Sequence, residues 1–268
     1  MSLYPSSLIA LKYLHYLLTA ENGKGHGIHS PFVFSLVNEV LNGTKNDPVF
    51  NHIESLRKRV LKDDMVLEVE DYGAGSVTGA MKYRKVKDIA ATSLKSSKYA
   101  RLLFHLVKFS QAKQIIELGT SLGITTAYLA SASPHGKVYS FEGASSVMRM
   151  ADRHFHETGL NHIELIQGPF DQTLPDFIKG MSGSPDLVFM DGHHTYEATI
   201  RYFSLLLARS DEDTIFVFDD IHWSRGMEKA WKEIKQHPQV TLTIDLFFMG
   251  LVFFRKSQLI KQHFTIRY

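Results

Sequence analysis

The sequence predicts an α/β protein with a mostly parallel β-sheet flanked by helices. From residue 114 onward, short apolar runs alternate with segments of helical periodicity, as expected for parallel strands joined by crossover helices. The runs at 240–246 and 250–254 are joined too tightly for a helical crossover, so this last pair must be antiparallel. A glycine-punctuated turn between the first run and its helix marks a ligand site.

The stretch 114–126 is the centre of the predicted site. It reads as a buried strand, a turn punctuated by Gly119 and Gly123, and the N-terminus of a helix. This combination is the usual cradle for a nucleotide-like ligand. The spacing here is G-x-x-x-G, whereas a dinucleotide site usually has G-x-G-x-x-G. Because the carboxylate of Glu117 repels a pyrophosphate, the turn favours a cationic ligand over a dinucleotide.

Length and composition bound the class of protein. The 268 residues suffice for one large α/β domain with an extension, and 44% hydrophobic and 22% charged residues are typical of a globular chain. The absence of cysteine excludes disulfides, a thiolate nucleophile and cysteine-ligated metals. A net charge of +2 without a stripe of basic and aromatic residues gives no indication of nucleic-acid binding. No apolar run reaches the ~20 residues of a membrane span, so we expect a cytoplasmic enzyme.

Residues 1–90 are predicted to form a helical extension or lid, and residues 91–268 the ligand-binding domain. Apolar residues recur at helical spacing in three stretches of the extension, at residues 8–18, 32–41 and 50–61. The first of these helices is apolar enough to be a packing helix or the contact of a homodimer. The extension is therefore the expected cover that excludes water from the site.

Two glycine-rich stretches of the extension allow more than one interpretation. His26 and His29 lie in the first, where a position at the mouth of the site and a plain turn are both open. The second, at residues 65–76, repeats the acid–glycine pattern of the main turn. Because no clear buried helix and no second acid-ending strand follow it, we predict that residues 70–76 form a loop.

Three carboxylates follow the fourth and fifth predicted strands of the domain. Asp191 ends the fourth strand, and Asp219 and Asp220 end the fifth. Adjacent parallel strands bring their carboxyl ends to one edge of a sheet, so we expect these acids to cluster. Clustered carboxylates repel one another unless they are protonated or bridged by a cation, and oxygen ligands favour Mg²⁺, Ca²⁺ or Mn²⁺. The three acids are therefore candidate ligands of a divalent metal.

The order and spacing of these motifs resemble class I S-adenosylmethionine-dependent methyltransferases, nearest the catechol and caffeoyl-CoA O-methyltransferases. The family's E-x-G-T-x-x-G motif is residues 117–123 here, and Glu142 follows about 20 residues later at the position of the acid that holds the ribose. Residues 168–171, Gly-Pro-Phe-Asp, resemble the segment that borders the adenine. The segment 25–34 resembles the extension of methyltransferases common in Bacteroidetes. The main resemblance covers about residues 90–256 and implies a Rossmann-like seven-stranded methyltransferase sheet with a terminal antiparallel strand.

The resemblance implies S-adenosylmethionine as the cofactor. The residues that would bind it are Glu117, Gly119, Thr120, Ser121, Gly123, Glu142, Gly168, Phe170, Asp171 and Asp191. Mg²⁺ or another divalent cation would be bound by Asp191, Asp219 and Asp220, although the related enzymes have Asp-Asn where this chain has Asp-Asp.

The resemblance also implies a general base. The family often places a lysine three residues after the metal-binding acid, and here that residue is His194. Asp191 and His194 are therefore the predicted catalytic residues, since imidazole can accept a proton near neutral pH. His193 adjoins His194, and His222 follows Asp219 and Asp220 closely in the sequence. For both histidines, roles as ligands or as ordinary loop residues are open.

The predicted function is O-methylation of a small hydroxylated acceptor by S-adenosylmethionine. One alternative is a nicotinamide-dependent oxidoreductase, which the missing G-x-G-x-x-G motif disfavours. Another is a non-catalytic ligand-binding protein with the same fold, since a fold does not guarantee an activity.

Overall fold

The computed structural model of the chain describes residues 3–25, 27–44, 46–71, 80–258 and 260–268. These divide into two units, one formed by Met1–Asn42 with Ile178–Tyr268 and the other by Gly43–Phe177. The predicted domain boundary after residue 90 stays a prediction. Within the described ranges, no helix is long and apolar enough to cross a membrane.

The first unit begins with the helices of the extension. These are α1 (Ser6–Thr19), α2 (Pro31–Leu36) and a π-helical segment, Val37–Leu41, that continues α2. One face of α1 packs Tyr16 against Phe247. Of the two histidines in the first glycine-rich loop, His29 is exposed and His26 lies outside the described residues.

The second unit, Gly43–Phe177, contains the glycine turn. Its elements are α3 (Pro48–Val60), β1 (Val66–Asp71), β2 (Ala80–Lys85), α4 (Val86–Ser93), α5 (Ser97–Ser110), β3 (Gln114–Leu118), α6 (Ile124–Ala132), β4 (Lys137–Glu142), α7 (Ser145–Thr158), β5 (Ile163–Gln167) and α8 (Phe170–Gly180), whose last residues belong to the first unit. Strands β3, β4 and β5 pair in parallel, with Glu117 opposite Ser140. The glycine turn therefore follows the carboxyl end of β3, as predicted.

The extension is not wholly helical, because β1 and β2 form an antiparallel hairpin. Val66 and Leu67 of β1 lie opposite Lys85 and Arg84 of β2. The loop predicted at residues 70–76 begins later than expected, since β1 continues through Asp71. Apolar and acidic side chains alternate in β1, which suits a strand with one solvated face. The rest of that predicted loop, residues 72–76, lies outside the described residues.

The remaining elements belong to the first unit. They are β6 (Leu187–Met190), α9 (Tyr196–Leu207), β7 (Ile215–Asp219), α10 (Arg225–Gln236), β8 (Leu242–Asp245), β9 (Met249–Phe253) and β10 (Gln262–Thr265). The strand order within this unit is β10-β8-β9-β7-β6. Strand β9 is antiparallel to β7 and β8, whereas β6 pairs with β7, and β10 with β8, in parallel. The predicted antiparallel ending is confirmed.

Besides the hairpin, the part of the chain that the structure describes forms eight strands, one more than predicted. The additional strand is β10, whose four residues are alternately half-buried and exposed. A strand with one solvated face lacks the continuous apolar run by which buried strands are recognised in a sequence. The predicted fold class, a mostly parallel α/β architecture with flanking helices and an antiparallel ending, is confirmed.

Candidate active site

The glycine turn between β3 and α6 has a backbone that restricts its sequence. Gly119, Ser121 and Gly123 all have left-handed backbone angles, with φ of 109°, 48° and 78°. A Cβ added to Gly123 would lie 2.6 Å from Cε1 of Phe155, so both the backbone angle and the space require glycine. The amide of Gly119 donates a hydrogen bond of 3.0 Å to the carbonyl of Phe141. The turn is thereby fixed against the end of β4.

Glu142 ends β4 and reaches back to the glycine turn. Its Oε2 accepts a hydrogen bond of 2.8 Å from the amide of Ser121, and its Oε1 accepts one of 2.9 Å from the amide of Ala144. Burial raises the pKa of Glu142, and hydrogen bonds from three backbone amides oppose that shift only in part. The half-buried carboxylate is therefore held in one place beside the turn.

Glu117 lies beneath the turn and is fully buried. Its Oε2 accepts hydrogen bonds of 2.6 Å from the hydroxyls of Thr126 and Ser140. The hydroxyl of Thr120 lies 2.6 Å from the same Ser140 hydroxyl. Glu117 thus connects β3, β4 and α6, which accounts for its position. Its predicted contact with a ligand ammonium stays a prediction.

The segment predicted to border an adenine follows β5. The amide of Gly168 donates a hydrogen bond of 3.0 Å to the carbonyl of Glu142. Phe170 is half-buried, and its ring meets that of Phe141 edge-on with 6.3 Å between centroids. Asp171 is exposed in the first turn of α8. The structure therefore places the start of this segment directly beside Glu142.

Ser93 is a residue at the glycine turn that the sequence analysis did not single out. It is the last residue of α4, and its Oγ lies 2.8 Å from Oγ of Ser121. The sequence holds no signal for this contact, because it depends on how α4 packs beside the turn. Helix α4 thus supplies a hydroxyl to the edge of the candidate cofactor site.

Asp191 and Asp219 follow or end two neighbouring parallel strands, β6 and β7, and lie close together. Asp191, His194 and Asp219 each offer one ligand atom, and these atoms lie within 4.8 Å of one another. Asp219 is buried, and the other two are half-buried. Asp220, the third predicted ligand, is not in this group; its amide donates a hydrogen bond of 2.7 Å to the carbonyl of Phe248. Asp220 lies beyond the end of β7 and has a left-handed backbone, with φ of 54°, so the alternation of an extended strand does not continue to it.

His194 is coupled to the acids of this cluster. Its Nε2 lies 3.5 Å from Oδ1 of Asp191. Burial lowers the pKa of His194, but the carboxylates of Asp191, Asp220 and Asp219 together outweigh it, so the pKa lies above its ordinary value. Without a cation the ring therefore holds a proton more tightly than an ordinary imidazole does, and a cation bound by the same acids would oppose this effect.

The two neighbouring histidines have different surroundings. The ring of His193 meets that of Tyr202 edge-on, 6.2 Å between centroids. The Nε2 of His222 lies 2.8 Å from Oδ2 of Asp245, and its Nδ1 lies 3.2 Å from Oε1 of Glu228. Burial lowers the pKa of His222, but the carboxylates of Asp245 and Glu228 raise it by more. The pKa of His222 therefore lies above its ordinary value. Since both ring nitrogens face acids, His222 serves as a link between them and is poorly placed to act as a base.

Comparison with known proteins finds a family match for part of the chain. Residues 116–221 match the family model of a methyltransferase domain. Two curated relatives are catechol O-methyltransferases. That of Niastella koreensis is 27% identical over 128 residues, which cover 47% of this chain and 57% of the relative. That of Mycobacterium tuberculosis is 29% identical over 129 residues, which cover 47% and 56%. The chain thus spans little more than half the length of these relatives.

Solved structures of methyltransferases share the fold of this methyltransferase-like chain. The O-methyltransferase from Bacillus cereus, in complex with SAH, has a TM-score of 0.57 at 17% identity and covers 78% of this chain and 91% of its own. The O-methyltransferase TomG from Streptomyces achromogenes, in complex with SAM, has a TM-score of 0.57 at 18% identity, with coverages of 79% and 91%. The SAH-bound methyltransferase PaMTH1 from Podospora anserina has a TM-score of 0.59 at 11% identity, with coverages of 96% and 100%. The predicted resemblance to class I methyltransferases is confirmed at the level of the fold.

Proposed function

We propose that the chain is an S-adenosylmethionine-dependent methyltransferase that methylates an oxygen of a small hydroxylated acceptor. The observation that carries the proposal is Glu142, whose carboxylate is held beside the glycine turn by backbone amides. Two vicinal ribose hydroxyls can donate to such a carboxylate, and little ordering is needed because the side chain is already fixed. The methyltransferase match over residues 116–221 includes this acid and both cluster aspartates. The catechol O-methyltransferase relatives support oxygen as the methylated atom.

The cluster of Asp191, His194 and Asp219 has a donor set that fits a divalent cation. Carboxylate oxygens suit Mg²⁺ and Mn²⁺, and an imidazole nitrogen adds affinity for Mn²⁺ and later transition metals. We propose that the two aspartates are ligands and that His194, when neutral, is either a third ligand or the base. A cation there would polarise the acceptor hydroxyl and lower its pKa.

The chain's own residues would then contribute a proton acceptor and alignment. S-adenosylmethionine, held beside Glu142 and the glycine turn, would supply an electrophilic methyl group to the acceptor oxygen, with S-adenosylhomocysteine as the leaving product. The hydroxyl proton passes to neutral His194 or to solvent. Holding the reactants in line supplies much of the acceleration, since well-oriented reactions reach effective molarities of ~10⁵–10⁸ M.

Transfer of labelled methyl groups from S-adenosylmethionine to catechol tests the proposal. We expect a methyl ether with Mg²⁺ or Mn²⁺ present, and at least ~10-fold less with a chelator or with Asp191→Asn. Asp213→Asn is the matched control, because Asp213 is exposed in the loop before β7, at the end of the strand opposite Asp219. This change should leave methyl transfer unchanged. Cofactor binding without transfer to a wide panel of hydroxylated acceptors would favour the non-catalytic alternative.

A cytoplasmic location and a homodimer also belong to this proposal. The lack of cysteine suits a reducing compartment. On α1, the face opposite the packed one exposes leucines: Leu8, Leu11, Leu14 and Leu18. Light scattering tests the dimer: the unmutated chain should have the mass of a dimer and Leu14→Glu that of a monomer. A monomeric mass for the unmutated chain would contradict the proposed homodimer.

A further inference from the structure

The N-terminal helix α1 is tied to the loop that follows β7, the strand that ends at the candidate metal ligand Asp219. We propose that Glu228 is a positioning residue that, by tying α1 to residues 219–224, keeps Asp219 in the cluster with Asp191 and His194. The inference rests on the metal role proposed for that cluster. All of these residues belong to the first unit.

Glu228 lies in the first turn of α10 and receives donors from two directions. Its Oε2 accepts a hydrogen bond of 2.7 Å from the hydroxyl of Tyr4, and its Oε1 accepts one of 2.8 Å from Nζ of Lys12. The same Oε1 lies 3.2 Å from Nδ1 of His222, in the loop after β7. One carboxylate therefore joins the N-terminal segment to that loop.

The link continues from His222 to the end of β8. The Oδ2 of Asp245 lies 2.8 Å from Nε2 of His222 and also accepts a hydrogen bond of 3.1 Å from Nε1 of Trp231. The Oδ1 of Asp245 accepts a hydrogen bond of 2.9 Å from the amide of Phe247. His222 is thus held between two anchored carboxylates, and a change at Glu228 removes one of the two.

Backbone and apolar contacts bring α1 to the same loop. The amide of Tyr4 donates to the carbonyl of Trp223 at 3.4 Å, and Leu3 forms a β-bridge with Ser224. Ile9 of α1 lines a small cleft with Trp223 and Asp220. The N-terminal segment therefore lies along the loop, and Glu228 supplies its charged contact.

The loop needs such support because it leaves β7 through an unusual conformation. Asp220 has a left-handed backbone with φ of 54°, a conformation that persists only when its surroundings impose it. The preceding residue, Asp219, must direct its carboxylate to within 4.8 Å of the ligand atoms of Asp191 and His194. A shift of the loop would change that direction first.

Mn²⁺ binding to the cofactor-free full chain tests the proposal, with amide hydrogen exchange as a second readout. Glu228→Ala should weaken Mn²⁺ binding at least ~5-fold, a loss of ~1 kcal/mol, and speed exchange in residues 219–224 and 6–19. Glu228→Gln, whose side-chain oxygen can still accept a hydrogen bond, should have a Mn²⁺ affinity and exchange rates between those of the unmutated chain and those of Glu228→Ala. Glu212→Ala removes an exposed partner of Lys256 in the same unit and should change neither readout.

The possible results separate this proposal from the proposed function. If Glu228→Ala lowers the melting temperature but leaves Mn²⁺ affinity unchanged well below it, Glu228 is merely structural and the proposal is overturned. If the unmutated chain binds no Mn²⁺, the metal role proposed for the cluster fails. Amide exchange in residues 219–224 then decides whether Glu228 ties α1 to the loop. Faster exchange in Glu228→Ala would support the tie between α1 and the loop, and unchanged exchange would overturn it.

Discussion

Gly123 and Gly159 have similar left-handed backbones, with φ of 78° and 71°, but different surroundings. A Cβ on Gly123 would meet the ring of Phe155 at 2.6 Å, whereas a Cβ on Gly159 would have nothing within 4 Å. Alanine at either position costs about 1–2 kcal/mol of backbone strain. At Gly123 overpacking adds about 1–3 kcal/mol. Denaturant unfolding should therefore show a larger loss of stability for Gly123→Ala than for Gly159→Ala, and equal losses would contradict this account of the turn.

His154 supports the same turn from α7, and it makes stability depend on pH. Its Nδ1 lies 2.9 Å from the carbonyl oxygen of Leu122, and burial lowers its pKa below the ordinary value. The unfolded chain therefore binds the proton more readily than the folded chain. The neutral His154 ring therefore stabilises the folded chain above a pH of about 6.5, the ordinary pKa of histidine. This stabilisation is lost as the pH falls through the pKa of His154 in the folded chain.

Melting temperatures at about pH 7.5 and pH 5.5 check this prediction. Acidification should destabilise the unmutated chain by more than it destabilises His154→Gln, against the opposing contribution of His194 and His222, whose pKa values neighbouring carboxylates raise. Some dependence should persist in the variant, because burial also lowers the pKa of His105. An identical fall in both proteins would show that His154 does not contribute.

The position of Glu142 could be predicted from the sequence because an acid at the end of a parallel strand lies at the ligand edge of the sheet. The burial of Glu117 was not foreseen, since it depends on hydroxyls contributed by β4 and α6. The membership of His194 rather than Asp220 in the acid cluster likewise depends on loop backbone angles. Sequence spacing carries no information about such angles.

At the scale of elements, helix α10 packs on β9 through one close contact. A Cβ on Gly250 of β9 would lie 2.6 Å from Cη2 of Trp231 on α10. Gly250→Ala should cost about 1–3 kcal/mol by overpacking. Trp231→Leu should cost more, since it also removes the hydrogen bond to Asp245. Because both changes act at one contact, urea unfolding of the double variant should show a loss smaller than the sum. Additive losses would mean that the contact is not shared.

The alternation of strands and helices after residue 114 could be predicted, because an apolar face at helical spacing distinguishes an amphipathic helix from a buried strand. The hairpin β1–β2 and the strand β10 could not, for a common physical reason. Both are short and partly exposed, so neither has the buried apolar run that identifies the central strands. Only Glu70 and Asp71 of the hairpin fall within residues 70–76, which were predicted to form a loop.

At the scale of the whole molecule, the methyltransferase fold alone does not establish the reaction. The family match covers residues 116–221, which include the glycine turn, Glu142 and the acid cluster. Helix α1 and the hairpin lie outside it. The proposed reaction therefore requires first that the chain bind the methyl donor at Glu142.

Calorimetric titration with S-adenosylhomocysteine measures this binding directly. We expect a dissociation constant on the order of micromolar for the unmutated chain, and a loss of affinity of at least ~10-fold, or about 1.4 kcal/mol, in Glu142→Ala. Glu164→Ala, which removes an exposed partner of Lys137 on the neighbouring strand, should bind as the unmutated chain does. No binding to the unmutated chain, or equal affinity in Glu142→Ala, would contradict the central claim.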